Sequence, residues 1–160
     1  MNTAADHRVR RAVVADVPAL AALRYEFRSR NKPPVETTAD FIPRCIDWMR
    51  PHLADESRWR AWVLEQGGSI EGNIWLEIVE KLPNPNVERE LHAYITNFFV
   101  RPEQRNGGAG SRLLDAALND CRRQNVDCVF LWPSARSRPL YERHGFVAAA
   151  NMLVLEDNSP

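Results

Sequence analysis

The sequence of 160 residues has no long hydrophobic run, no net charge, and no cysteine pattern of a metal site or disulfide framework. No apolar stretch approaches the ~18 residues that a membrane-spanning helix needs. Met1–Arg11 is polar, unlike a secretory leader. The 21 basic and 21 acidic residues cancel, so no overall field favours nucleic acid or a membrane surface. Cys45, Cys121 and Cys128 are an odd number without ligand spacing, and the four histidines are scattered. The expectation is reduced thiols in a cytoplasmic protein, with Cys121 and Cys128 as core filler and no metal. Repeats, low-complexity tracts and an internal linker are also missing. Residues 1–160 therefore read as one domain, large enough for a continuous core.

What is present reads as alternating strands and helices. Val9–Val14 predicts a short strand, and Asp16 with Pro18 opens a helix carrying Leu20, Leu23 and Phe27 at helical spacing. Asn31–Pro34 stops it. Thr38–Leu53 predicts a second helix with Phe41, Ile42, Cys45, Trp48 and Met49 on one face. Trp59–Glu65 and Ile70–Glu80 read as strands joined at Gly67-Gly68, a two-residue hairpin signal. Two prolines make Lys81–Asn86 a loop, and Leu91–Val100 a third long strand. A helix follows to about Gln124, with Leu113, Leu114, Ala117, Leu118 and Cys121 as its apolar stripe. Val126–Trp132 is nearly all apolar and is expected to be central and buried on both faces. Ser134–His144 predicts a short helix ended by Gly145, Phe146–Leu155 a last strand, and Asp157–Pro160 a frayed tail. This order implies α/β or α+β with a mixed sheet.

The richest segment is Val100–Gly110 followed directly by Ser111-Arg112-Leu113-Leu114. A strand ends, the chain turns, and small residues open a helix. Such an opening leaves main-chain N–H groups unpaired at the positive end of the helix dipole, a site for an anion such as a pyrophosphate. A Cβ at the glycines would hinder close approach of phosphates.

Three blocks together resemble the GNAT superfamily of acyl-CoA-dependent N-acyltransferases, over nearly the whole chain. They are Arg105-x-x-Gly108-x-Gly110, then Leu131-Trp132-Pro133-Ser134 with Arg138–Phe146, and the N-terminal Arg10-Arg11-Ala12 with Ala15–Leu20. The resemblance implies a single mixed, mostly antiparallel sheet flanked by helices. It implies acetyl-CoA as co-substrate and a homodimer as one form of assembly; the balanced charge adds the expectation of no nucleic-acid or membrane partner. The pantetheine arm would lie in a gap where the third long strand parts from the Val126–Trp132 strand, usually at a bulge, against the backbone of Phe98, Phe99 and Val100. The pyrophosphate would sit on Arg105, Asn106, Gly107, Gly108, Ala109, Gly110 and Ser111. Ser134 stands where many relatives have an asparagine that contacts the pantetheine, and Arg138 meets either a phosphate or an acid.

Acetyl transfer needs a neutral amine and a proton for the departing thiolate. By position, Tyr141 is the acid implied by the resemblance. Relatives with a clear base often carry a glutamate where this chain has Tyr94, so the candidates for the base are His92, on the face of Tyr94 and Thr96, and Glu77 on the neighbouring strand, acting directly or through a water, with a water chain as the alternative. Tyr25, Glu26, Trp48, Trp75 and Tyr94 are candidates for the acceptor side, where aromatic and acidic groups suit a cationic amine. A small-molecule amine ranks first. A protein or peptide N-terminus or lysine, and a non-catalytic acyl-CoA-binding module, are the alternatives.

Overall fold

Three long strand segments rich in β-branched and aromatic residues, the first two buried on both faces at their centres, build the middle of the molecule, a computed structural model that describes residues 7–157. Residues 1–6 of the polar N-terminus, and the expected tail beyond Asp157, lie outside the described residues. The elements are β1 (Arg8–Arg11), α1 (Val17–Ser29), α2 (Thr38–Asp55), β2 (Trp59–Gln66), β3 (Ser69–Glu80), β4 (Leu91–Val100), α3 (Ala109–Arg123), β5 (Cys128–Phe130) and α4 (Arg138–Arg143). They form one five-stranded mixed sheet in the order β1-β2-β3-β4-β5. The first three pairings are antiparallel and β4–β5 is parallel. Gly67 and Gly68, at φ +56° and +82°, make the β2–β3 turn, whose primed geometry matches the twist of the strands.

Helices cover both faces. The stripe expected on α3 (Leu113, Leu114, Ala117, Leu118, Cys121) is buried against Leu64, Ile74, Leu76 and Ile95 of the sheet. On the opposite face, Val17, Leu20 and Ala21 of α1 and Met49 and Leu53 of α2 pack on Ala61, Val63 and Trp75. Each fully buried leucine stabilises the fold by about 1.5–3 kcal/mol. The apolar face of α2 is only half used. Phe41, Ile42 and Cys45 stay partly accessible and Trp48 is exposed, because that end of the helix stands over a cleft.

Five expectations need correction. The strand expected over Val126–Trp132 ladders only at Cys128–Phe130, on the sheet edge rather than in its centre, and Cys128 is exposed rather than core. The strand expected over Phe146–Leu155 is not formed. Its apolar residues Val147, Leu153 and Leu155 face solvent, because three β5 residues offer too short an edge for a further ladder. The first strand stops at Arg11, since Asp16 draws the chain into a turn that leaves Val13 and Val14 exposed. The last helix starts at Arg138, after a turn closed by Ser134 and Ser137. Among the described residues, no helix is long and apolar enough to cross a membrane.

Asp16 anchors the N-terminal turn. Its buried carboxylate takes a two-pronged bond from Arg10 at 2.7 and 2.8 Å and a third from the Val13 amide at 2.8 Å. The Arg10 hydrogen bond outweighs burial and holds this carboxyl below its ordinary range. A depressed folded pKa contributes stability that is present above the unfolded value of ~3.9 and is lost as pH falls through the folded value. Asp16→Asn is expected to cost about 2–4 kcal/mol in urea unfolding at pH 7. The gap to wild type should narrow below about pH 4. An equal gap at pH 7 and pH 3 would show that the charge has no part in it.

Candidate functional site

The site begins where β4 leaves β5. The two strands pair only at His92–Cys128, Ala93–Val129 and Tyr94–Phe130. Beyond Tyr94 the edge of β4 has no strand beside it among the described residues, and a gap opens along Thr96–Val100. The expected bulge is there: on β3 the register moves from Trp75↔Thr96 to Asn73↔Phe99, leaving one extra residue on β4. Asn97 takes up the distortion at φ +47°, a conformation that asparagine tolerates better than most residues. Its side chain is bonded on both sides, donating to Asn73 Oδ1 at 3.1 Å and accepting from Arg24 Nη1 at 3.3 Å. The bulge shifts the alternation, so Phe99 turns toward α1 and stacks on Phe27, while Phe98 and Val100 join the α3 side.

At the far end of the gap the chain makes a short turn at Pro102–Gln104 and enters α3. Gly108 is the N-cap, in the left-handed region at φ +75°, and no side chain caps the helix. The first helical bond is Arg112 N–H to the Gly108 carbonyl, which among the described residues leaves the amides of Ala109, Gly110 and Ser111 unpaired at the positive end of a four-turn helix. Around Gly107 and Gly108 there is open space where a side chain would stand. Gly110 differs: a Cβ there would meet Leu140 Cδ2 at 3.4 Å and Phe98 Cζ at 3.7 Å. Asn106 supports the turn at φ +68°.

Arg105 Nε donates to the Val100 carbonyl at 2.8 Å, with its guanidinium over the Phe99 ring. Burial, and then the charges of Arg136 and Arg30, hold it below its ordinary pKa. Arg136 was not foreseen from the sequence. It sits in a turn whose approach to Arg105 depends on where β5 ends, and no local pattern signals that. Ser134 spends its hydroxyl on Ser137, at 2.9 Å to Oγ and 3.2 Å to the amide. Arg138 is exposed and lies 3.9 Å from Glu142.

Tyr141 is brought to the gap. Its ring lies edge-on to Phe98 and Phe146, at 6.1 and 5.6 Å, and it is 7 % exposed. The hydroxyl has no partner in the protein among the described residues, and burial pushes the phenol up to about 12.

On the other face of β4, a cleft of about 640 Å³ opens between α1, α2 and the sheet. Tyr94, Thr96, Asn97 and Trp75 form its floor, and Phe41, Cys45 and Trp48 of α2 its wall. Three of the expected acceptor-side residues are thus gathered here: Trp48, Trp75 and Tyr94. Trp75 is 2 % exposed and largely core; Trp48 packs edge-on to Trp59 at 5.2 Å. Tyr25 lies outside this cleft, bonded to the Glu36 carbonyl, and Glu26 is tied to Arg101 and Arg30. Glu77 shares the face of Trp75 and stands opposite Tyr94, but it is held by Arg58 and does not line the cleft. His92 lies further along β4, 3.7 Å from Asp127. Among the described residues no carboxylate lines the cleft; its charged groups are Arg24 and Arg44. Sequence reading missed Arg24, Cys45 and Trp59: the first two offered only their places on helices and Trp59 only its place at the head of a strand, signals that name no site.

Comparison with known proteins agrees with this layout. Residues 21–146 match the family described as Acetyltransferase (GNAT) family. A GCN5-related N-acetyltransferase from Ralstonia eutropha JMP134 is 26 % identical, with 94 % of this chain and 98 % of that one aligned at a TM-score of 0.76. A predicted acetyltransferase with acetyl-CoA from Clostridium acetobutylicum is 22 % identical over 94 % and 96 %, with a TM-score of 0.77. Glucosamine-6-phosphate N-acetyltransferase from Arabidopsis thaliana is 15 % identical over 94 % and 97 %, at 0.69. At the lower two identities the likeness is one of fold. No curated protein matches the sequence significantly.

Proposed function

The chain belongs to the acetyltransferase (GNAT) family, and from that premise we propose that it transfers an acetyl group from acetyl-CoA to a primary amine of a small molecule, by direct attack on the thioester. The observation that carries this reading is the meeting of two spaces at Asn97: the gap beside β4 and the aromatic cleft on its other face. A thioester donor and an amine acceptor could each occupy one and meet at the bulge. The cleft falls within the ~300–1,000 Å³ of small-molecule sites.

The residues fit the coenzyme. The amides of Ala109, Gly110 and Ser111 and the side chains of Arg105 and Arg136 would hold its phosphates, and the open main chain of Phe98–Val100 its pantetheine arm. Bound there, it supplies an activated acetyl group. The likeness in fold to the Clostridium acetobutylicum structure with acetyl-CoA supports this placement.

The acceptor must lose a proton, which for an amine of pKa ~10.4 costs about 4–5 kcal/mol at pH 7. Neither His92 nor Glu77 faces the cleft, so neither is assigned as a direct base. Arg24, the cleft's cation that no carboxylate neutralises among the described residues, instead disfavours the ammonium form, and a water can carry the proton out. Tyr141 donates a hydrogen bond to the leaving sulfur.

Free-thiol release from acetyl-CoA, measured across a panel of amines and peptides, tests the proposal. Turnover is expected with small primary amines and not with peptides. A preference for peptides would move the activity to protein acetylation, and tight coenzyme binding without any turnover would make the chain a binding module.

A further inference from the structure

Resting on the acetyl-transfer reading, we propose that the acceptor is an amino carboxylate with an apolar or aromatic side group, its carboxylate gripped by Arg24. Among the described residues Arg24 pairs with no carboxylate; its one hydrogen bond is the 3.3 Å contact with Asn97 Oδ1. Other arginines of the molecule do pair: Arg44, at the rim of the same cleft, with Glu36; Arg58 with Glu77; Arg101 with Glu26 and Glu71. Arg24 is half-buried, next to the charge of Arg28, and burial holds its guanidinium below its ordinary value. A partly desolvated cation without a counter-ion, facing a cleft, is arranged for an anion that comes with the ligand.

The remaining features narrow the ligand. Among the described residues no carboxylate lines the cleft to repel an entering anion. One free guanidinium fork matches the single charge and two oxygens of a carboxylate, whereas a phosphate dianion calls for more donors than Arg24 alone presents. The tether to Asn97 keeps the fork at the bulge, where cleft and gap meet. A carboxylate held there places an α-amine next to the thioester. The aromatic wall of Trp48, Trp59 and Phe41 then takes the side group.

Product-like probes test recognition apart from catalysis. N-acetyl-phenylalanine, N-acetyl-phenethylamine and N-acetyl-phosphoethanolamine are titrated into the full chain saturated with coenzyme A, following tryptophan fluorescence. The carboxylate probe is expected to bind at least about 30-fold more tightly than the uncharged one. Arg24→Met should bring that ratio within about threefold, while Arg24→Lys, which keeps the charge without the fork, falls between. Urea unfolding and coenzyme affinity of both variants should match wild type. A ratio near one in wild type, a ratio unmoved by Arg24→Met, stronger binding of the phosphate probe, or no binding of any probe would overturn the proposal. Thiol release with phenylalanine against phenethylamine separates the two readings. Equal turnover of both amines keeps acetyl transfer and sinks the carboxylate, while selective probe binding without turnover does the reverse.

Discussion

Valine at both Gly108 and Gly110 is expected to weaken acetyl-CoA binding at least about 100-fold, read by calorimetry, while the chain still folds. The two substitutions act differently. At Gly108 the φ of +75° is strained for any β-branched residue, by about 1–2 kcal/mol, and the new side chain would stand in the open space in front of the unpaired amides. At Gly110 the side chain points the other way, into Leu140 and Phe98, and so disturbs the support of Tyr141. The strain is small beside the ~5–15 kcal/mol that holds a domain of this kind together, and the buried stripe of α3 begins beyond it. A urea midpoint shifted by the strain alone, together with lost binding, is the expected pair of results. Unchanged affinity would remove the loop from the phosphate site.

Tyr141→Phe should lower kcat about 10- to 100-fold with little change in acetyl-CoA affinity. With the phenol at about 12 and a leaving thiol near ~8.5, complete proton transfer is uphill by about 5 kcal/mol. The hydroxyl therefore acts by hydrogen bonding to the developing thiolate, worth about 1.5–3 kcal/mol when charge-assisted. Because burial keeps the phenol protonated, kcat should not fall between pH 8 and 10 through ionisation of Tyr141. Its raised folded pKa also contributes stability that is complete below the ordinary value of ~10 and is lost as pH rises toward 12. A variant as fast as wild type would leave the ring only a packing role against Phe98 and Phe146.

Local signals were the readable part of this chain. Leu91–Val100 is a strand with the bounds its β-branched and aromatic residues suggest, and Gly67-Gly68 is the turn its composition demands. The glycine-rich opening of α3 needs no distant contact to expose its amides, since four turns of helix always leave their first N–H groups free. These features depend on backbone conformations that neighbouring residues decide among themselves, so sequence alone settled the long strand, the hairpin turn and the free amides at the opening of α3.

Everything that depends on a partner far along the chain was decided by tertiary structure. Glu26 looked available for a cationic substrate and Glu77 as a base until Arg101 and Arg58 neutralised them from elsewhere in the fold. Val126–Trp132 has the composition of a central strand, yet only three of its residues find β4, because the chain beyond them diverges to form the gap. The face of α2 that reads as core is the wall of a cleft, and Arg24 owes its unpaired charge to the acids its neighbours do not provide. Charge compensation and burial are sums over groups brought together only on folding, and no stretch of sequence contains that sum.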